Sequence, residues 1–266
     1  SQSPTSAPRD TVMTVRNGDT LLRIADRLLE QTDHYTRLQF VDAMRSTNAL
    51  VDDVVHPGQN LRFELSSSEA GPWLPLPAVD DARGIYVNAT VAGSSRILNL
   101  ITELRNVGGN TVVFDVKDRP GDLSYPSRIP LAHRIEADAS AQIRRPHRLV
   151  DRLHKEGIYV VARLTCFYDQ RLAQKCPDLA PKSRETGAPW LQRGKLRWVD
   201  PSLPAVQEYL LDIVDEVAAI GVDEIQLDYV RFPTEGNVEE AVFSFGDSGS
   251  KDRVITDFLK RVHDRL

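Results

Sequence analysis

The apolar positions of the chain fall into two zones. Over residues 11–65 they mark a short strand, two helices and a second strand. Residues 11–16 alternate Val12/Thr14 against Met13/Val15, and Asn17-Gly18 signals a turn. Leu21, Leu22, Ile24, Ala25, Leu28 and Leu29 recur on one helix face, with Asp19 or Thr20 as cap. Leu38, Phe40, Val41 and Met44 predict a second helix over roughly 35–44. After the turn His56-Pro57-Gly58-Gln59, a strand over 60–63 closes a βααβ unit.

From residue 83 onward, buried apolar runs alternate with amphipathic helices. Strands are expected over 84–89, 111–118, 158–167 and 223–233. Helices follow, carrying Ile97, Leu98, Ile101 and Leu104; then Leu149, Val150 and Leu153; then Val206, Tyr209, Leu210, Ile213, Val214 and Val217; and last Val254, Ile255, Phe258, Leu259 and Val262. This alternation implies a parallel sheet with right-handed crossovers, in a barrel or a doubly wound form. No glycine fingerprint of the dinucleotide type follows the first strand, which weighs against a nucleotide-binding doubly wound sheet. Two long excursions, 119–145 and 168–201, follow strands, at the face where barrel enzymes build their sites.

The domains read as a polar tail over 1–10, the βααβ unit over 11–65, a Ser/Gly/Pro-rich linker over 66–82, and an α/β domain over 83–266. The apolar residues of Trp73-Leu74-Pro75-Leu76-Pro77 are expected to lie extended against the second domain.

Composition changes this picture little. The chain has 266 residues, 41% of them hydrophobic, and a net charge of -5, so no general affinity for nucleic acid is expected. No apolar run is long enough to span a bilayer, and no signal peptide is visible. The two cysteines, Cys166 and Cys176, are either a local disulfide or two thiols. The six histidines show no metal-ligand spacing, and His147 and His154 read as surface residues. No metal or cofactor is expected.

The candidate chemistry lies in carboxylates at strand ends. Asp228 interrupts an apolar strand, where an unpartnered ionised carboxylate is costly. It either pairs with Arg163 or Arg231, or faces a polar cleft. Glycoside hydrolysis typically needs two carboxyl groups, one a general acid and one a nucleophile or base. Asp228 is the candidate nucleophile or base, with Arg231 close behind it to favour the charged form. Asp115 and Asp118 are the candidate partner carboxylate or sugar ligands, unless Lys117 or an arginine pairs with them. Arg163 could orient Asp228 or a sugar hydroxyl. Tyr229, Trp198 and Asp200 are further candidates for substrate binding, although Asp200-Pro201 also reads as a turn and helix cap. Trp190, Tyr168 and Tyr125 offer aromatic faces in the excursions.

Two resemblances sharpen these expectations. Thr14 to Leu21, Ile24-Ala25, Asn48 and Pro57 to Leu61 together resemble a LysM domain, with residues 29–36 lengthening the inter-helix region. LysM domains bind N-acetylglucosamine-containing glycans such as peptidoglycan and chitin. The resemblance implies a groove lined by Gly18, Asp19, Thr20, Leu21, Asn48, Ala49 and Leu50.

The second resemblance rests on Gly84 to Val87 with Ala92-Gly93-Ser94, Val113 to Asp118, and Gly157 to Arg163. Trp198-Val199-Asp200-Pro201 and Asp223 to Pro233 complete it. These residues resemble a bacterial family of glycosyl hydrolases with a TIM-barrel domain, otherwise of unknown function. It implies a (β/α)8 barrel of which only the first four βα units are seen. Half a barrel exposes edges that closure would bury, so a fragment, a split protein, or completion by a second chain is expected. A secreted, periplasmic or envelope hydrolase of polysaccharide is the leading expectation. A catalytically silent carbohydrate-binding or envelope-organising protein is the alternative, as is a LysM-like unit that only contacts protein.

Overall fold

The computed structural model describes residues 9–66, 79–245 and 249–266. The expected tail is shorter than its assigned span, because Arg9 and Asp10 already belong to the first strand. Residues 1–8 and the apolar stretch Trp73 to Pro77 lie outside the described residues.

The first unit runs β1 (Arg9–Thr14), α1 (Leu21–Leu28), α2 (Arg37–Thr47), β2 (Asn60–Leu65). β1 and β2 pair antiparallel, with Thr11 opposite Phe63 and Met13 opposite Leu61. Thr20 and Thr36 cap the two helices by accepting from the Arg23 and Gln39 backbone N–H groups. Val15, Leu21, Ile24, Phe40, Met44 and Leu61 are at the centre of its core.

The inter-helix insert has a structural role. The Tyr35 hydroxyl donates to the Ala92 carbonyl at 2.6 Å, and Tyr35 packs into the core of the second unit. Arg145 donates to the carbonyls of His34 at 2.5 Å and Thr32 at 3.1 Å, and Arg148 pairs with Asp33 at 2.8 Å. The segment that departs from the short βααβ pattern thus docks the first unit on the second.

The second unit begins β3 (Gly84–Val87), α3 (Ala89–Ala92), α4 (Arg96–Asn106), β4 (Thr111–Lys117), α5 (Pro130–Arg134), α6 (Pro146–Lys155), β5 (Tyr159–Thr165). It continues α7 (Gln170–Lys175), β6 (Lys182–Ser183), α8 (Pro204–Ile220), β7 (Glu224–Asp228), β8 (Ala241–Val242), α9 (Lys251–His263). The main sheet is parallel, in the order β3-β4-β5-β7. A doubly wound sheet reverses its order at a switch point. Here the order never reverses, so crossovers of one hand leave the helices on one face, as in consecutive units of a β/α barrel. Among the described residues the sheet is open, with β3 and β7 as edges.

Alternation along each strand divides the two faces. Val112, Phe114, Val160, Ala162 and Leu164 join the core with Ile97, Leu149, Leu210 and Ile213 of the helices. Burying each such large aliphatic or aromatic side chain contributes about 1.5–3 kcal/mol. On the opposite face lie Tyr86, Asp115, Arg163, Gln226 and Asp228. α8 stops where Gly221 adopts φ +97°, a left-handed C-cap that glycine takes without a Cβ penalty.

One expectation needs correction and two open ones are decided. His154 is not a surface residue: its side chain is buried and its Nε2 lies 2.7 Å from Asp223 Oδ2 at the start of β7. The excursions hold α5, α7 and β6, and β6 pairs with β8 after the last strand of the main sheet. Cys166 and Cys176 are free thiols, and burial pushes that of Cys166 up to about 12.

Candidate active site

The polar face of the sheet ends in a charged cluster. β4 carries an irregularity between Asp115 and Lys117, so that Asp115 stands opposite Arg163 and Lys117 opposite Leu164. A bulge of this kind re-aims a side chain. Lys117 consequently leaves the face of Asp115 and is fully buried. Its Nζ donates to the Thr165 carbonyl at 2.8 Å and pairs with the equally buried Asp169 at 2.9 Å. The expected alternative of a Lys117 partner for Asp115 or Asp118 therefore fails.

Arg163 takes that place. Its Nη1 donates to Asp115 Oδ1 at 2.6 Å, its Nε to Asp228 Oδ2 at 3.0 Å, and its Nη2 also reaches Asp228 Oδ2. Burial alone would lower the guanidinium's pKa, but the hydrogen bonds and charges of the two carboxylates raise it. Tyr86, opposite Val113 on the same face, donates its hydroxyl to Asp115 Oδ2. Partial burial, then the hydrogen bond and charge of Asp115, push the Tyr86 hydroxyl up to about 12. At neutral pH it stays protonated and gives its proton to Asp115, whose two oxygens are both engaged.

Asp118 sits just past β4. Its Oδ1 accepts the backbone N–H groups of Gly121 and Asp122 at 3.1 and 2.8 Å. Burial raises its carboxyl above the ordinary range, against the pull of those N–H groups and of Lys117. A cleft of about 520 Å³ opens beside it, lined by Tyr86, Asp115, Asp118, Arg119, Pro120 and Arg163. A smaller one of about 270 Å³, between Asn88, Ser124 and Gln142, shares Asp115 and Asp118 with the first. The two carboxylates thus form the ridge between two clefts.

Asp228 ends β7. The apolar run does not continue as strand to Phe232, because Tyr229 adopts φ +52°. A non-glycine residue in that region carries roughly 1–3 kcal/mol of strain. The turn lets the Tyr229 N–H donate to Asp228 Oδ1 at 2.7 Å. The Asp228 side chain remains 36% exposed, against 9% for Asp115. It is neither sealed in apolar packing nor open on both oxygens.

Arg231 does not reach Asp228. It donates to Thr234 Oγ1 at 2.7 Å and lies over the rings of Trp198 and Tyr229. Trp198 is 2% exposed and gives its Nε1–H to Gln192, so its face is not available to a sugar. Asp200 is buried as well. Its Oδ1 accepts from the Ser202 N–H and hydroxyl and its Oδ2 from the Ser244 N–H, while the cap position of α8 falls to Leu203, which offers no side-chain bond. It holds a turn and lines neither cleft beside the sheet. Trp190 and Tyr125 are buried, bonded to the Asn237 carbonyl and to Glu216. Tyr86 and Arg119 line the cleft although the sequence pattern did not single them out. Tyr86 read as one more apolar strand position, and Arg119 as the start of a loop.

In the first unit most of the seven groove candidates serve the fold. Leu21 is 1% exposed, Thr20 caps α1, and Asp19 accepts from the Arg16 N–H. Asn48 ties α2 to β2 through Met44 and Arg62. Gly18 and Ala49 adopt positive φ in exposed turns, and Leu50 packs partly on the core. A cleft of about 530 Å³ lies elsewhere, among Thr11, His34, Phe40, Thr47, Arg62 and Glu64.

Comparison with known proteins bears on the second unit. Residues 84–266 match the family model described as "Putative glycosyl hydrolase domain". The crystal structure of a hypothetical protein from Ruminiclostridium thermocellum is similar at TM-score 0.62 and 32% identity, over 68% of this chain and 92% of that one. An exo-β-N-acetylglucosaminidase from Vibrio harveyi gives TM-score 0.48 and 13% identity, over 77% of this chain and 36% of that one. An α-galactosidase from Thermus thermophilus gives 0.45 and 17%, over 77% and 44%. A search of curated proteins returned no match.

Proposed function

Because the chain belongs to this glycosyl hydrolase domain family, we propose that it hydrolyses a polysaccharide with carboxyl groups at the ends of β4 and β7. The observation that carries the reading is the cluster itself. One arginine bridges Asp115 and Asp228, beside a cleft that Asp118 lines. It lies at the C-terminal strand ends, where barrel enzymes place their chemistry.

Asp228 is the nucleophile or base, being the more exposed carboxylate of the bridged pair. Arg163 and the Tyr229 N–H hold its orientation. Asp118 is the general acid: burial keeps its proton to higher pH, and it faces both clefts. Asp115, first paired with Asp228 as a catalytic residue, becomes a positioning residue that aims Arg163 and Tyr86. Arg119 Nη1 lies 3.4 Å from Tyr229 Oη, so the residues following Asp118 and Asp228 meet at the mouth of the cleft.

The first unit, on its LysM resemblance, tethers the enzyme to peptidoglycan or a related glycan. That places the protein in the cell envelope or outside the cell. A second reading, binding without hydrolysis, draws on Asp115 being saturated and Asp228 being tied to Arg163 on one oxygen. Incubation with a glycan panel that includes peptidoglycan separates the two. Reducing ends released by the wild type and lost in Asp228→Asn support hydrolysis. Retention of glycan by both with no release supports binding alone.

A further inference from the structure

Two guanidinium groups set against Tyr229, Arg119 lining the cleft and Arg231 beyond it, lack an acidic partner. Among the described residues, Arg119 and Arg231 form no ion pair. Their neighbours differ: Arg163 bridges two carboxylates and Arg171 pairs with Asp122. Both free cations are exposed, in a chain of net charge -5.

Both are held in place by aromatic rings. Arg119 lies 5.4 Å from the Tyr168 ring centroid and 5.9 Å from that of Tyr229. Arg231 lies 5.4 Å from both the Trp198 and Tyr229 centroids. The shared ring, Tyr229, follows Asp228 and is fixed in its left-handed turn. Cation–π contact of this kind orients a guanidinium without consuming its N–H donors. Arg119 spends one N–H on Tyr229 Oη and Arg231 one on Thr234. The remaining donors form planar forks matched to a carboxylate.

The same contacts argue against a neutral sugar. A neutral pyranose is commonly held by an open aromatic face. Here Tyr168 and Trp198 are 8% and 2% exposed, and the guanidinium groups cover their rings. The exposed aromatic of the cleft is Tyr86, at 55%, on the far side from Arg231 and tied to Asp115 by its hydroxyl. Around Tyr229, cations cover the rings that could otherwise serve as an aromatic platform.

We propose that the cleft selects an acidic glycan, one whose sugar carboxylates are taken by Arg119 and Arg231, both set against Tyr229. This inference rests on the reading of the cleft as a glycan site, but not on turnover. Affinity electrophoresis of the full chain tests it, with polygalacturonate, hyaluronan and peptidoglycan glycan strands, each beside its carboxyl-reduced counterpart. At least one acidic glycan should bind about tenfold or more tightly than its reduced form, about 1.4 kcal/mol. Its retention should weaken with added salt. Arg119→Gln and Arg231→Gln should each lose about tenfold in affinity at unchanged thermal unfolding.

Equal retention of acidic and reduced glycans overturns the inference. So does the absence of retention by every acidic glycan, or wild-type retention by both folded variants. Acidic glycan bound but never cleaved leaves this inference standing and removes the hydrolase reading. Cleavage of a neutral glycan with no preference for the acidic one does the reverse.

Discussion

Arg163 donates to both Asp115 and Asp228, so removing it leaves two carboxylates, on the strands that flank β5, without their shared cation. Breaking a buried pair costs about 3–5 kcal/mol; with the Arg163 side chain 19% exposed, Arg163→Met should cost about 2–3. Urea unfolding of Arg163→Met checks this, and adding Asp115→Asn should recover part of the loss. Asp118 makes the prediction in pH. Its folded pKa is raised, so its contribution to stability is complete below the ordinary 3.8 and is lost as pH rises through the raised value. The same proton is the one an acid catalyst donates, so the alkaline limb of the kcat profile should sit above the usual carboxylate range. Asp118→Asn should remove that limb and lower kcat by roughly 10²–10⁴-fold. At this scale Asp228 and Arg163 were legible, because a charge inside an apolar strand demands a partner. Which arginine answers was not: Arg231 is three residues away in sequence and Arg163 sixty-five, and Arg163 is the one that reaches.

The elements explain why the cluster has this shape. The bulge in β4 sends Lys117 to the buried side, where Asp169 both pairs with it and caps α7 by accepting from the Leu172 N–H at 2.7 Å. Lys117→Met would strand a buried carboxylate and should destabilise the fold by about 3–5 kcal/mol in thermal or urea unfolding. Adding Asp169→Asn should restore part of that while keeping the cap. Gly121 is required close by: it adopts φ +98°, and a Cβ there would meet Asp169 Oδ1 at 2.1 Å. The long helices and strands followed their apolar periods, with α8 stopping before Gly221 as expected. The two-residue strands β6 and β8 carry no periodicity and were invisible until paired. β7 was read too long because Tyr229 favours a strand by type, while its backbone turns left-handed at φ +52°.

In the whole molecule, the small unit docks beside the C-terminal ends of the strands, against Ala92 after β3 and the start of α6. Arg145 is central: its side chain is 7% exposed and reads two carbonyls of the insert, with Glu30 3.6 Å away. Burial lowers its pKa, and the charge of Glu30 opposes that. Arg145→Ala leaves buried carbonyls without donors, at about 1–3 kcal/mol each. Hydrogen exchange should then speed up around residues 32–35 and 92–94 while the β4–β5 amides keep their protection. If exchange in the insert is unchanged, the docking does not depend on Arg145.

The order of the long strands and helices, the parallel α/β class, the βααβ unit, and a carboxylate at the end of the last strand of the main sheet all follow from the sequence. Each is set by local periodicity and by the cost of a lone charge among apolar neighbours. Tertiary structure alone decided the pairing of Asp228 with Arg163, the diversion of Lys117 to Asp169, and the covering of Trp198 by Arg231. It also decided the use of the Thr32 to Tyr35 insert as a dock. These depend on strand register and on loops meeting across the sheet, and side chains far apart in the chain become partners only when strands align. Without the bulge in β4, Lys117 would share the face of Asp115, with the same residues in the same order.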